Sequence, residues 1–245
     1  MTSQEKANMK NRRLTIILIG IILCCSVSLG AMFAIFGAGF LSGAELPVYE
    51  YEQVSSAHEG YLRTTLTSGN TVYVMDYEEY ALVSANSAPT EMIGRFPVTI
   101  GNSGLYAIPG QDPSAYVLEF DPMYQQVYRN INHPPFDWRT AEFQKLRLMF
   151  SDPVNPKESG DSRLIAEILS SLKSGNPTIV PMQTDGNYSN AENHTMLLFS
   201  DELPGMMYIV GVHVTDAGEV YLAENPISNQ WMSAGLMFTA FVNDK

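Results

Sequence analysis

Twenty-eight consecutive residues, Leu14 to Leu41, contain no charged side chain. A helix needs about 20 apolar residues to cross a bilayer at ~1.5 Å rise per residue. A lone segment in lipid can satisfy its backbone polar groups only as a helix, so one transmembrane helix is expected over 14–41. Lys6, Lys10, Arg12 and Arg13 precede the run, and the first charges after it are Glu45, Glu50 and Glu52. Basic flanks stay in the cytoplasm, which predicts a single-pass protein of the cell membrane with residues 1–13 inside and 42–245 outside. A cleaved signal peptide competes, since Ser42-Gly43-Ala44 offers a small-residue cleavage site, but such a peptide has an apolar region of only about 7–15 residues. Cys24 and Cys25 fit a lipoprotein signal poorly, with Leu23 before them and sixteen uncharged residues after them. Ser26, Gly30, Ala34 and Ala38 recur at four-residue spacing. They form a stripe of small side chains on which a second membrane helix can pack closely.

Charge narrows the partners of the external part. Residues 1–41 take four of the 14 basic residues and one of the 26 acidic ones, leaving 10 against 25, a net of −15. Nucleic acid requires a basic face, and an anionic bilayer surface attracts one; neither is expected here. Both cysteines fall inside the apolar run. The external part therefore has no disulfide, no thiolate nucleophile and no cysteine-type zinc site, and about 200 residues must be held by their core alone.

Patterning predicts an α+β fold of antiparallel hairpins with at least one packed helix. Residues 42–60 read as a polar stalk, 61–129 as a tyrosine-rich β subdomain, 130–140 as a connector and 141–245 as an α+β subdomain. Strands flank Ser68-Gly69-Asn70, and Tyr80–Val83 reads as a short strand. A further hairpin, Ala115–Phe120 with Tyr124–Arg129, surrounds Asp121-Pro122-Met123. Pro and Gly make 84–104 mostly connection, with a strand at Phe96–Ile100. Lys145–Phe150 reads as a strand. Asp161 caps a helix over Ser162–Ser174, whose Leu164, Ile165, Ile168, Leu169 and Leu172 form one stripe. Strands follow at Thr178–Met182, Thr195–Ser200, Met207–Val214 and Glu219–Ala223; Gln230–Val242 fits helix and strand equally. Ile108-Pro109-Gly110 and Leu203-Pro204-Gly205 each precede an asparagine, Asn130 or Asn225, by 21 residues counted from the proline. A duplicated β unit requires the two to share strand direction and topology.

The motifs for chemistry are incomplete. His58-Glu59 lacks the second histidine of a zinc-protease helix, where Leu62 stands instead. Gly101-Asn102-Ser103-Gly104 lacks the strand–turn–helix of a nucleophile elbow. Asp185-Gly186-Asn187 lacks the remaining ligands of a calcium loop, and no glycine loop for phosphate occurs. His194 and His213 sit on neighbouring strands without a third ligand. No catalytic residue, cofactor or metal is therefore assigned. Asn187-Tyr188-Ser189 and Asn193-His194-Thr195 are glycosylation acceptors only in a eukaryotic cell.

Ten of thirteen tyrosines lie between Tyr49 and Tyr128. Tyrosine suits half-buried sheet faces, and equally a surface that grips peptide or glycan. The candidate partner-binding residues are Tyr116 and Tyr128 in the second hairpin, with His133, Phe136 and Trp138 in the proline-stiffened connector. There the two large rings either pin the crossover to the core or dock a partner. The reading is a non-catalytic, membrane-anchored binding or accessory protein of the bacterial envelope, contacting another envelope or membrane protein. The rival is a tethered hydrolase of envelope glycan or peptide, using carboxylates or Ser103.

Overall fold

β-Branched and aromatic runs punctuated by Gly and Pro leave few stretches long enough for a helix, and ladders dominate accordingly. The computed structural model describes residues 46–244 except 59, 86–88, 98–102, 122–123, 150–155 and 179–191. Contacts divide the chain into two units, of which the one made of Pro47–Thr99 and Ser103–Lys245 holds every strand and helix described below. In chain order its first strands are β1 (Glu50–Ser55), β2 (Leu62–Ser68), β3 (Thr71–Met75), β4 (Leu82–Ser84), β5 (Met92–Gly94), β6 (Gly104–Ala107), β7 (Tyr116–Asp121) and β8 (Tyr124–Asn130). β9 (Lys145–Met149), β10 (Lys157–Ser159), helix α1 (Ser162–Ser174), β11 (Glu192–Phe199), β12 (Met206–Val214), β13 (Val220–Ala223), β14 (Met232–Ser233) and helix α2 (Leu236–Asn243) follow.

The expected α+β class is corrected to β-rich: strands make up 45% against two helices. No helix among the described residues is long and apolar enough to cross a membrane. The segment 14–41 and its stripe of Ser26, Gly30, Ala34 and Ala38 lie outside the described residues, as do most of Phe96–Ile100 and Thr178–Met182. The excess of strand has a physical cause. β1 exposes every side chain, while β10 and β14 are three and two residues long, so none of them shows the alternation by which a half-buried strand is read. Regular structure consequently begins at Glu50 rather than Tyr61.

The first sheet runs β1-β2-β3-β8-β7-β6-β5, every neighbour antiparallel. Its two ends meet. Val48, entering β1, bridges Arg95, leaving β5, in parallel, through Tyr49 N–H to Arg95 O (2.8 Å) and Arg95 N–H to Pro47 O (3.0 Å). The Tyr49 ring lies on Gly94, where a Cβ would come within 2.6 Å of it. Inside this ring of strands Tyr49, Leu66, Tyr73, Met75, Leu105, Val117 and Tyr128 form their own buried cluster.

The second sheet runs β10-β9-β11-β12-β13-β14. β4 also pairs with β12, through Met206–Tyr208, on the edge of β12 opposite β11 and in line with β13. The chain thus leaves the first sheet after β3, adds one strand to the second, and returns at β5. One face of the second sheet packs Val210, Val212 and Leu222 against Leu164, Ile165, Ile168 and Leu172 of α1 and Phe238 of α2, in one cluster with Tyr106, Leu118 and Val127 from outside the ring. Each fully buried aliphatic side chain there contributes roughly 1.5–3 kcal/mol of transfer free energy. Asp161 caps α1 as its sequence position implies, accepting from Arg163 N–H. The Glu167 carboxylate of α1 caps α2, accepting from the N–H groups of Met237 (3.3 Å) and Phe238 (2.8 Å).

The two Pro-Gly turns correspond. Gln111 N–H bonds Ile108 O and Met206 N–H bonds Leu203 O, both at 2.9 Å, with Gly110 at φ +89° and Gly205 at φ +74°. Both are type II turns, in which only glycine sits easily at the third position. Each joins the first two strands of an antiparallel meander, β6-β7-β8 or β11-β12-β13, so direction and order agree as a duplication requires. Asn130 is the last residue of the first meander, and Asn225 lies two residues past the second. Asn130 Oδ1 accepts from Asn132 N–H (3.0 Å) and Asn225 Oδ1 from Ile227 N–H (3.1 Å). The backbone carbonyl of each accepts from the N–H three residues on, at 2.9 Å in both. The turns also touch: Gln111 Nε2 donates to Pro204 O at 2.9 Å.

Candidate functional site

Three connections converge at one end of β1 and β2: the loop 56–61 between them, the turn 76–78 after β3, and the loop 224–230 after β13. Each is fixed by local polar bonds. The Ser56 hydroxyl donates to the Asp76 carboxylate and accepts from His58 N–H (3.0 Å), while Asp76 also accepts from Tyr77 N–H (2.8 Å). Asn225, two residues past β13, donates from Nδ2 to Tyr77 O (2.5 Å). Ser228 Oγ accepts from Gln230 N–H (3.1 Å). Together these connections enclose a cleft of about 700 Å³ lined by His58, Gly60, Tyr61, Tyr77, Glu224 and residues 227–230.

The cleft's wall is aromatic. His58 stacks on Tyr77 with centroids 4.5 Å apart and planes at 27°; Tyr61 meets the same ring edge-on at 4.9 Å. Each ring is tethered: His58 Nε2 lies 3.1 Å from Glu78 Oε1, and Tyr61 Oη donates to Ile227 O at 3.1 Å. Burial pushes the Tyr77 hydroxyl above its ordinary pKa, partly offset by its bond to Ser228. On the opposite rim Glu224 pairs with Arg139 (2.7 Å), whose guanidinium lies 4.6 Å over the Trp138 ring. The His58 side chain is 46% exposed, so its outer face is open to a ligand. Such an arrangement can stack a planar or ring-shaped group and bond its edges. His58 belongs to the stretch that reads as a stalk, Tyr61 opens the expected β subdomain, and Tyr77 and 224–230 are distant in sequence. Periodicity gives no signal for any of them.

A second polar cluster lies in the ring of strands. Tyr128 Oη donates to Glu119 Oε2 (2.7 Å) and lies 3.0 Å from Tyr51 Oη. Burial raises the Glu119 pKa, the Tyr128 bond lowers it in part, and the nearby Asp121 charge raises it further. Burial also raises the Tyr124 pKa. Ser103 Oγ donates to Asp121 at 2.5 Å. At the junction of the sheets the buried Glu79 carboxylate binds Arg129 Nε (2.5 Å) and Asp76 N–H (2.9 Å). Desolvation still raises its pKa.

The five residues singled out in the sequence fall into separate places. Trp138, 4% exposed, stacks on Tyr208 at 6.1 Å, and Phe136 lies 5.9 Å from the same ring; both rings hold the crossover to the core. His133 meets Tyr116 edge-on at 5.2 Å on the outer face of the first sheet. Tyr128 is wholly buried on its inner face. They form no single surface. His194 pairs opposite Val212 in the ladder, so it and His213 point to opposite faces, and His213 Nδ1 lies 2.8 Å from Asn193 Oδ1. Among the described residues no group of three metal-ligating side chains occurs. Glu59, Gly101, Asn102 and Asp185-Gly186-Asn187 lie outside the described residues.

No family model, no curated protein and no solved structure matches this chain.

Proposed function

We propose that the chain is a membrane-held extracytoplasmic binding module of the bacterial envelope, with the cleft at His58, Tyr61 and Tyr77 as its ligand site. The observation that carries this reading is the tethering of all three rings by bonds from the protein itself, His58 to Glu78, Tyr61 to Ile227 and Tyr77 to Ser228. Rings fixed in advance lose little freedom on binding, which raises affinity. The long apolar run before Glu45 and its basic flank support membrane attachment, and the acidic composition supports a solvated domain that shuns anionic surfaces.

The test is site-specific photocrosslinking in living cells from p-benzoylphenylalanine at Asn229, on the cleft rim. A discrete adduct that disappears with Tyr61→Ala is expected; an adduct pattern indifferent to Tyr61→Ala overturns the site. Attachment is checked by alkaline carbonate extraction, where the full chain stays with the membrane pellet. A second reading, a tethered hydrolase, draws on the raised Glu119 carboxyl beside Asp121, an acid and a base on one strand face. Loss of envelope-glycan or peptide hydrolysis in Glu119→Gln, with its fold intact, would favour it.

A further inference from the structure

If the cleft is the ligand site, its chemistry also selects what enters it. On that footing we propose that the ligand is a neutral glycan, with a sugar ring laid on the His58–Tyr77–Tyr61 wall and hydroxyls bonded by Glu224, Asn229 and Gln230.

Charge excludes ionic ligands first. The two carboxylates at the cleft already have partners, Glu78 with His58 and Glu224 with Arg139. Neither calls for a cationic ligand, while the net −12 of the chain repels anionic polymers. Shape then disfavours a peptide. Peptides are taken up along a free strand edge, in a helix groove or, when proline-rich, on an aromatic groove long enough for an extended segment. This cleft, by contrast, is compact and walled by turns and loops, with Tyr61 bonded across it to Ile227. Among the described residues Ile227 is the one aliphatic side chain that lines it. Its volume of about 700 Å³ falls within the range of small-ligand sites.

The polar groups of the rim complete the match. The amides of Asn229 and Gln230 make no side-chain hydrogen bond among the described residues, and each offers both donor and acceptor. A carboxylate already oriented by an arginine bonds a hydroxyl strongly. Aromatic faces beside amides and an oriented carboxylate match a polyhydroxylated ring, apolar on its C–H face and polar at its edge. The bond between Tyr61 Oη and Ile227 O holds the rim at a fixed distance from the wall. A rigid ring needs that, and a flexible chain does not.

The experiment is calorimetric titration of the full chain, purified in an amine-oxide detergent without a sugar headgroup, with N-acetylglucosamine tetramer and with cellotetraose. Heat of binding for at least one oligosaccharide is expected. His58→Ala and Tyr61→Ala should each weaken it about tenfold, as loss of a stacking ring does, and Glu224→Gln several-fold. Tyr61→Phe keeps the ring but frees it from Ile227, and should cost less than Tyr61→Ala, which separates stacking from damage to the fold. Tyr124→Ala, on another part of the first sheet, should change nothing. Absence of binding to both oligosaccharides, or binding indifferent to Tyr61→Ala, overturns the glycan assignment. If the Tyr61-dependent photo-adduct at Asn229 then proves to be a protein, the binding-module reading stands and only the glycan falls. If that adduct is also missing, both fall.

Discussion

The two meanders start from the same plan and hide their second face in different ways. Around β6-β7-β8 the neighbouring strands curl until Val48 meets Arg95, and the inner face is filled by tyrosines and aliphatics. Around β11-β12-β13 the sheet stays open, and α1 and α2 cover it. A three-stranded unit with a Pro-Gly turn thus specifies its own pairing and leaves the second layer to whatever flanks it. Tyrosine suits the closed ring, because its hydroxyl can bond Glu119 or another tyrosine where a helix would have to exclude both.

The two sheets meet at a buried ion pair. Glu79 lies on the turn that carries the chain from β3 to β4, and Arg129 lies on β8. Glu79→Ala leaves the guanidinium buried without its carboxylate and should cost about 3–5 kcal/mol, read as a fall in the denaturant midpoint. Loss of less than about 1 kcal/mol would mean that the two sheets are stitched by something else.

The two turns should respond unequally. At Gly205 a Cβ would sit 1.9 Å from Pro109 O, whereas at Gly110 the nearest atom is Pro204 Cβ at 3.0 Å. Gly205→Ala should cost roughly 2–4 kcal/mol and Gly110→Ala about 1–2 kcal/mol, both from positive φ and the first also from a backbone clash. Equal costs in thermal melts would show that conformation alone matters.

Glu167→Ala removes the acceptor for the first N–H groups of α2 and should cost about 1–2 kcal/mol. Amide exchange should quicken on α2, and on β13 beneath it, while the closed ring is unchanged. Exchange that quickens equally in both sheets would show that they unfold as one.

The smallest effect is one of pH, and its sign differs between the sheets. Burial raises the Glu119 pKa, so its contribution is full below the ordinary glutamate value and is lost as pH rises through the folded one. Burial lowers the His213 pKa, so its contribution is full above about 6.5 and is lost as pH falls through the folded value. Residue-resolved exchange across pH 4–8 should therefore loosen the first sheet at the alkaline end and the second at the acid end. The same direction in both would remove one of these assignments.

Local rules make part of this fold legible. Ser68-Gly69-Asn70 announces the β2–β3 hairpin, the residues around Asp121-Pro122-Met123 delimit their strands almost one for one, and Asp161 with its apolar stripe marks α1. The Pro-to-Asn spacing points to the repeated meander. What escapes is set by long-range pairing. β1 shows no alternation because both its faces meet solvent, and β4 belongs to a sheet formed largely by residues more than a hundred positions later. The cleft is the extreme case: its wall comes from residues 58, 61 and 77 and its rim from 224–230, joined only once β4 has crossed between the sheets.

The ring closure also sets how the domain carries tension. Whatever precedes Pro47 enters at the Val48–Arg95 bridge, and β1 leads from there to His58 and Tyr61. A pull between the chain's front end and a ligand held at those rings runs lengthwise along β1. Tension between those two points is borne by the covalent backbone of β1, so the six residue pairs with β2 are spared rather than peeled one by one. A load entering at the Val48–Arg95 bridge thus reaches the 56–61 loop without opening either sheet, in the manner of a fastened strap.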